Sequence, residues 1–262
     1  MCMDDISYDE NVDTLFLSDD KVFYTVEGEG RWAGRPSVFM RLAMCNLTCI
    51  GFKSPDSPFG CDSYTSWSVK NKLTFKEIYD TYFLKTGYIY NLFENPNCLL
   101  KITGGEPFIQ QKQLIKFIQF LKNEYFTLTG KVNRLYIDFE TNATIKPDKY
   151  WELNATFTTS PKLASNGDSE DKRYIPEVLN WHANNYSDFK FVVQNKNDID
   201  EILTKYVNKF NISKKQVFLM PCCGSRKELI EKSAQVAEWC KEYGFTFSPR
   251  LQLLIWDKAL KV

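Results

Sequence analysis

Cys98-Leu-Leu-Lys-Ile-Thr103, closed by Gly104-Gly105-Glu106-Pro107, is the stretch that decides how this chain folds. An apolar run of strand length meets two glycines and a proline, which end it in a tight turn. Directly after the turn, Leu114, Phe117, Ile118, Leu121 and Tyr125 recur at helical spacing, the apolar stripe of an amphipathic helix. Strand, glycine turn and helix make one βα unit, and the unit repeats downstream. Residues 135–139, 155–159, 189–193, 217–220 and 246–248 read as further strands, with helices between several of them. Capping-box pairs mark helix starts at Thr74 with Glu77, Asp198 with Glu201 and Ser225 with Glu228. The last opens a helix with Leu229, Val236, Ala237 and Cys240 on one face, stopped by Gly244. Upstream, residues 22–25 and 38–42 are strand-like. The expected fold class is α/β: an abbreviated, incomplete (β/α) barrel, a mostly parallel open sheet of about six or seven strands with its chemistry at their C-terminal ends.

The chain has 262 residues, and its 33 Lys plus Arg balance 33 Asp plus Glu, so no net charge draws it to nucleic acid or an anionic membrane. Hydrophobic residues at 44% and aromatics at 15% are too many for a disordered chain. With no repeat, low-complexity tract or linker, residues 1–262 read as a single domain, and the polar stretch 165–172 as a surface loop. No stretch approaches the ~20 apolar residues of a membrane span, and Met1-Cys-Met-Asp-Asp5 leads into no apolar signal core, so the expected location is the cytoplasm. In that reducing compartment the eight cysteines are candidates for metal or catalytic work rather than disulfides. The sole histidine, His182, reads as a helix-surface residue, and one imidazole leaves His-dependent hydrolases and HExxH metalloproteases without their machinery.

Cys45-Asn-Leu-Thr-Cys49 follows a strand-like run, and Cys61 comes twelve residues after Cys49. Three thiolates from one loop can hold three irons of a 4Fe–4S cluster and leave the fourth open, as a catalytic zinc keeps one position open. The spacing alone equally suits three packed cysteines, or a zinc site closed by Cys222 or Cys223. In Thr103-Gly-Gly-Glu-Pro107 the glycines let a ligand lie against the backbone, and Glu106 can accept from an ammonium group. A plain strand-to-helix turn has the same composition. Cys98 and Cys240 read as packed thiols, Cys2 as merely terminal, and Cys222-Cys223 as a structural pair at a strand end.

A cysteine loop after the first strands, paired with a Gly-Gly-Glu-Pro turn after the next, resembles the radical S-adenosylmethionine enzymes, in which the methionine amine and carboxylate chelate the open iron. The resemblance narrows through Phe23-Tyr-Thr-Val-Glu-Gly-Glu-Gly30, Ala33-Gly-Arg-Pro-Ser-Val-Phe-Met-Arg-Leu-Ala-Met-Cys-Asn-Leu47 and Cys61-Asp-Ser63. It continues through Glu140-Thr-Asn142, Ser160-Pro-Lys162, Met220-Pro221 and Ser248-Pro-Arg-Leu-Gln-Leu-Leu-Ile-Trp256. Together these span nearly the whole chain and are similar to the 7-carboxy-7-deazaguanine synthase family. That resemblance implies a radical-enzyme barrel working as a homodimer. It implies ring contraction of 6-carboxy-5,6,7,8-tetrahydropterin to 7-carboxy-7-deazaguanine with loss of ammonia, in queuosine-type 7-deazapurine biosynthesis. It also implies a 4Fe–4S cluster, S-adenosylmethionine, Mg2+ and an external low-potential donor such as flavodoxin or ferredoxin, with no direct nucleic-acid or membrane partner.

By matching position, the resemblance puts Cys45, Cys49 and Cys61 on the cluster and Ser63, where the family has Thr, on magnesium, which prefers hard oxygen ligands. Substrate contacts fall on Val26, Glu27, Gly28, Arg41 and Thr103, the planar fork of Arg41 suiting a carboxylate. S-adenosylmethionine contacts fall on Asp62, Gly105, Thr141, Asn142, Ser160, Pro161, Lys162, Met220 and Pro221. No side chain is expected to act as acid, base or nucleophile in the first step, since the cofactor carries the radical chemistry. Three departures stand out: the third cysteine twelve rather than three residues after the second, Glu27 for a usual Gln, and Gln252 where His is frequent. Ionised, Glu27 would only accept hydrogen bonds. Two rivals share the raw motifs: an activase that installs a glycyl radical on a partner protein, and a non-enzymatic zinc-binding module.

Overall fold

The structure is a computed structural model, and it describes residues 13–49, 57–58, 60–61 and 63–257. Among these residues nine strands form one sheet: β1 (Thr14–Val26), β2 (Pro36–Leu42), β3 (Asn71–Thr74), β4 (Leu99–Gly104), β5 (Ile137–Thr141), β6 (Thr156–Thr159), β7 (Ser187–Val193), β8 (Val217–Pro221) and β9 (Thr246–Phe247). They lie in the order β3-β1-β2-β4-β5-β6-β7-β8-β9. Every neighbouring pair from β2 to β9 is parallel, the open α/β arrangement expected, and β3 and β9 end the sheet without closing it. An antiparallel edge, not expected from the sequence, flanks the parallel strands. β1 runs for 13 residues, pairing with β2 along one half and with the short, half-polar β3 along the other.

One face of the sheet is apolar and covered by helices. Leu100, Ile102, Ile137, Phe139 and Phe157 meet the helix Gln111–Thr129, whose Leu114, Phe117, Ile118, Leu121 and Tyr125 are all buried as their spacing demands. Further along, Phe189, Phe191, Val217 and Leu219 pack against helices Pro176–Ala183, Lys196–Glu201 and Arg226–Tyr243. Among the described residues no helix is long and apolar enough to cross a membrane.

The caps refine the reading. Thr74 closes a full capping box with Glu77, and Ser225 accepts from the Glu228 N–H ahead of a helix that stops at left-handed Gly244. The third helix starts three residues earlier than expected. Asn195 is its cap and Asp198 is the reciprocating third residue, because an Asn side chain reaches the Asn197 and Asp198 N–H groups just as an Asp would. His182 is a correction too. It lies fully buried under the Phe157 and Trp181 rings, its Nδ1 3.2 Å from Thr159 Oγ1 and 2.8 Å from Ser187 Oγ. Burial holds its pKa down at about 3, so the ring stays neutral.

The second face is built differently. Side chains alternate along a strand, so Lys101 points away from the neighbours Leu100 and Ile102, as do Asp138, Glu140, Thr158 and Lys190 from theirs. Among the described residues no long helix covers this side. The turn after β1 does, with a single 3-10 turn at Gly30–Trp32, together with the tail from Ser248: Gly30 N–H donates to Ser248 Oγ (2.8 Å) and Leu251 N–H to the Gly28 carbonyl (3.0 Å).

Candidate functional site

At the C-terminal strand ends, the cysteine loop is locked to the Gly-Gly-Glu-Pro turn by backbone contacts. Gly105 N–H donates to the Leu42 carbonyl (3.1 Å) and Glu106 N–H to the Met44 carbonyl (2.9 Å). A Cβ on Gly105 would fall 1.9 Å from the Met44 oxygen and 3.0 Å from Cys45 Cβ, so this glycine is required for the close approach of the two loops. Met44, Cys49 and Ala143 hold left-handed backbone at φ 73°, 41° and 62°. Such non-glycine conformations persist only where the surroundings over-determine them.

Cys49 lies within electrostatic reach of both Cys45 and Cys61. Burial lifts the Cys45 thiol to about 12 and the Cys49 thiol to about 11, against the Leu47 N–H aimed at the first sulfur and Lys162 near the second. Without a cation both remain neutral thiols, and a bound metal centre is what would favour the thiolates. Among the described residues no three His, Cys, Asp or Glu side chains converge tightly enough for a single metal ion. Zinc needs its sulfurs ~2.3 Å from one point, whereas a cubane takes one thiolate per iron and accepts a wider spread. Three soft donors, with N–H groups aimed at two of the sulfurs, fit an iron–sulfur cluster. Cys222 and Cys223 belong elsewhere: Cys223 faces Arg250, and the Lys232 ammonium caps the Cys222 carbonyl (2.6 Å).

Glu106 does not face outward to receive an ammonium group. It is fully buried, its carboxylate accepting from the Phe108 N–H (3.1 Å), the Asn142 N–H (2.8 Å) and the Thr141 hydroxyl (2.9 Å), so it ties β4 to the end of β5. Burial pushes its pKa up to about 7 in spite of those donors. The expected cofactor residues Gly105, Thr141, Asn142, Ser160, Pro161 and Lys162 thus form one connected group. Ser160 N–H donates to the Thr141 carbonyl (2.7 Å), Asn142 donates to Asn46 of the cysteine loop (2.9 Å), and Lys162 Nζ returns to the Ser160 carbonyl (2.8 Å). Met220 and Pro221 end β8 across the sheet, paired with Val192 and Val193. Ser63 precedes the helix Tyr64–Trp67 without capping it through its side chain. Asp62 lies outside the described residues.

The expected substrate residues lead onto the second face. Arg41 pairs in register with Thr103 and lies over the Phe23 ring at 5.7 Å. Glu27 is buried 3.1 Å from Lys101, and Gly28 is pressed against Gln252, whose Oε1 would lie 1.8 Å from an added Cβ. Beneath them runs a charge network the sequence reading did not single out. Lys101 pairs with Asp138 (2.6 Å), which also accepts from the Thr158 hydroxyl (2.8 Å) and the Trp32 indole (3.2 Å). Lys190 pairs with Glu140 (2.6 Å) and Glu29, and Glu29 also receives Arg250 (3.0 Å) and Gln252 (2.6 Å). The available signal was period-two alternation of charge in central parallel strands, Leu-Lys-Ile-Thr and Asp-Phe-Glu, where a sheet buried on two apolar faces would read continuously apolar. Two carboxylates here are driven apart. Burial raises Glu27 despite Lys101, while at Glu29 the same burial is overcome by Lys190 and Arg250, which hold it well below the usual carboxylate range.

An open, mostly parallel α/β sheet with a thiol loop and a glycine turn at its strand ends defines the class: an unclosed α/β barrel with its candidate site at the C-terminal edge of the sheet. No family model matches the chain. The 7-carboxy-7-deazaguanine synthase of Hyperthermus butylicus is 30% identical, over 90% of this chain and 91% of the relative; that of Halobacterium salinarum is also 30% identical, over 91% and 90%. The crystal structure of QueE from Escherichia coli shares the fold at a TM-score of 0.58, covering 90% of this chain and 93% of that one at 18% identity. The chain belongs to the 7-carboxy-7-deazaguanine synthase family. That membership sets aside the glycyl-radical activase and the non-enzymatic zinc module.

Proposed function

We propose that the protein contracts 6-carboxy-5,6,7,8-tetrahydropterin to 7-carboxy-7-deazaguanine with loss of ammonia, as a radical S-adenosylmethionine enzyme of 7-deazapurine biosynthesis. The observation that carries this reading is the cluster-fit thiol loop fastened by Gly105 and Glu106 to the same strand ends that open onto a buried, charged second face. Cys45, Cys49 and Cys61 would hold a 4Fe–4S cluster; with S-adenosylmethionine bound, that pair supplies the hydrogen-abstracting chemistry. Gly105, Thr141, Asn142, Ser160, Pro161, Lys162, Met220, Pro221 and Asp62 are the proposed S-adenosylmethionine residues, and Ser63 the proposed magnesium ligand.

The chain's own residues bind and orient. Arg41 and Thr103, neighbours across β2 and β4, suit the substrate carboxylate. Glu27 presents its carboxyl group from a buried position 3.1 Å from Lys101, its pKa raised by that burial and held back by the Lys101 cation. Glu29, kept ionised by Lys190 and Arg250, offers a fixed acceptor nearby. The reading includes one domain, a homodimer in the cytoplasm and an external flavodoxin or ferredoxin as reductant. Anaerobic reconstitution should give a brown protein that, reduced and supplied with S-adenosylmethionine and the carboxytetrahydropterin, releases the deazaguanine acid. Alanine at Cys45, Cys49 or Cys61 should abolish both colour and product. 5′-Deoxyadenosine without the deazaguanine acid would remove the substrate assignment and leave the radical class standing.

A further inference from the structure

The stretch 165–172, between β6 and β7, reads as a polar surface loop, yet it reaches the cysteine loop. Asp168 accepts from two consecutive backbone N–H groups, Thr48 (3.1 Å) and Cys49 (2.9 Å), and from the Thr48 hydroxyl (2.7 Å). Asn166, two residues earlier, donates to Asp168 (2.6 Å), and its amide also reaches the Cys49 sulfur. The connection is itself anchored. Ala164 N–H donates to Glu201 (2.8 Å), and buried Arg173 spans Glu201 (2.7 Å) and the Lys162 carbonyl (2.9 Å).

We propose that Asp168 is a positioning residue for the cluster: its carboxylate holds the Thr48–Cys49 backbone so that Cys49, in left-handed conformation, presents its sulfur to the iron. This rests on the radical-enzyme reading above. The need for such a clamp follows from the chain. Cys49 at φ 41° occupies backbone that a non-glycine residue keeps only under external constraint. Upstream, Asn46 is already tied to Asn142 (2.9 Å) and Thr144 (2.7 Å), which pins the first half of the loop to the turn after β5. Asp168 pins the second half. Outer contacts of this kind orient metal ligands, and their loss commonly weakens metal binding ten- to a hundredfold. The Asp168 charge beside the thiolate also opposes adding an electron to the cluster, so removing it should raise the cluster's reduction potential.

The test uses the full chain, reconstituted anaerobically, as wild type, Asp168→Ala, Asp168→Asn, Thr48→Val and Thr48→Ser, with Asp171→Ala in the helical turn Glu170–Arg173 that follows as control. Iron release to a chelator is followed through the visible cluster band, and the midpoint potential by redox titration. Expected are release about tenfold faster or more in Asp168→Ala, a smaller acceleration in Thr48→Val, wild-type behaviour in Thr48→Ser and Asp171→Ala, and a raised potential in Asp168→Ala. Should Asp168→Ala not fold, Asp168→Asn carries the same expectation, because it keeps an oxygen for Thr48 but cannot present acceptors to Thr48 and Cys49 together. A brown wild type whose Asp168 variants match it in both release and potential overturns the proposal alone. A wild type that takes up no iron overturns the functional reading and this proposal with it.

Discussion

His182 shows how far one residue's surroundings can reverse its ordinary chemistry. As the sole imidazole, fully buried with a pKa held at about 3, it binds no proton in the folded protein until well below the pH at which the unfolded chain takes one up. The sign follows from linkage: between about pH 6.5 and pH 3 the unfolded state binds more protons, so stability is lost as pH falls, at about 1.4 kcal/mol per unit for one group. NMR of the lone imidazole should show no titration from pH 8 to pH 5 in the folded protein; a midpoint near 6.5 would refute the assignment. His182→Gln should also flatten the acid limb of the stability profile, read as urea midpoints at pH 5 and pH 7.5. Glu106 titrates with the opposite sign. Its pKa, raised by burial to about 7, makes the folded state the better proton binder between about pH 4.5 and 7, so its contribution falls as pH rises through that window. Glu106→Gln should remove that slope; the same urea midpoints, unchanged in pH dependence, would contradict it.

At the scale of an element, the turn after β4 is the part that tolerates least. Gly104 has φ +128°, and a Cβ there would fall 2.0 Å from the Leu42 carbonyl oxygen and 2.4 Å from its nitrogen, both backbone atoms of β2. Gly130, which ends the helix Gln111–Thr129, is also left-handed at φ +69° but has nothing within 4 Å of an added Cβ. Gly130→Ala should therefore cost only the left-handed strain, about 1–2 kcal/mol, while Gly104→Ala adds a backbone clash and should cost about 3 kcal/mol or more. Equal urea-unfolding losses for the two would show that the β2–β4 approach is looser than described. The pattern of Cys98–Pro107 announced this turn, since two glycines before a proline leave few other backbones. It did not announce which strand the turn would meet, because the β2 partner lies about sixty residues upstream and register is a tertiary property.

For the molecule as a whole, the second face of the sheet departs most from the usual plan of helices on both sides. The turn after β1 and the tail from Ser248 are fastened over it by ion pairs: Glu29 to Lys190 and Arg250, Glu27 to Lys101, and Arg31 to Asp188. A buried cation removed from such a set leaves its carboxylates uncompensated. Lys190→Met should cost about 3–5 kcal/mol, and adding Glu140→Gln should recover part of it, since Glu29 keeps Arg250 and Gln252. Urea unfolding that registers less than about 1 kcal/mol for Lys190→Met would mean the network is solvated and the face open.

By itself the sequence determined the α/β class, the stripe of the long helix, two of the three cap sites, the thiol loop and the glycine turn. Each of these rests on residues near one another in the chain, where spacing and backbone preference act directly. Tertiary structure alone decided that Glu106 turns inward, that His182 is buried, that Asp168 reaches Cys49, and that Lys101, Asp138, Glu140 and Lys190 share one face with Glu27 and Glu29. A charged side chain reads as exposed until its partner is known, and here the partners come from strands and loops far away along the chain.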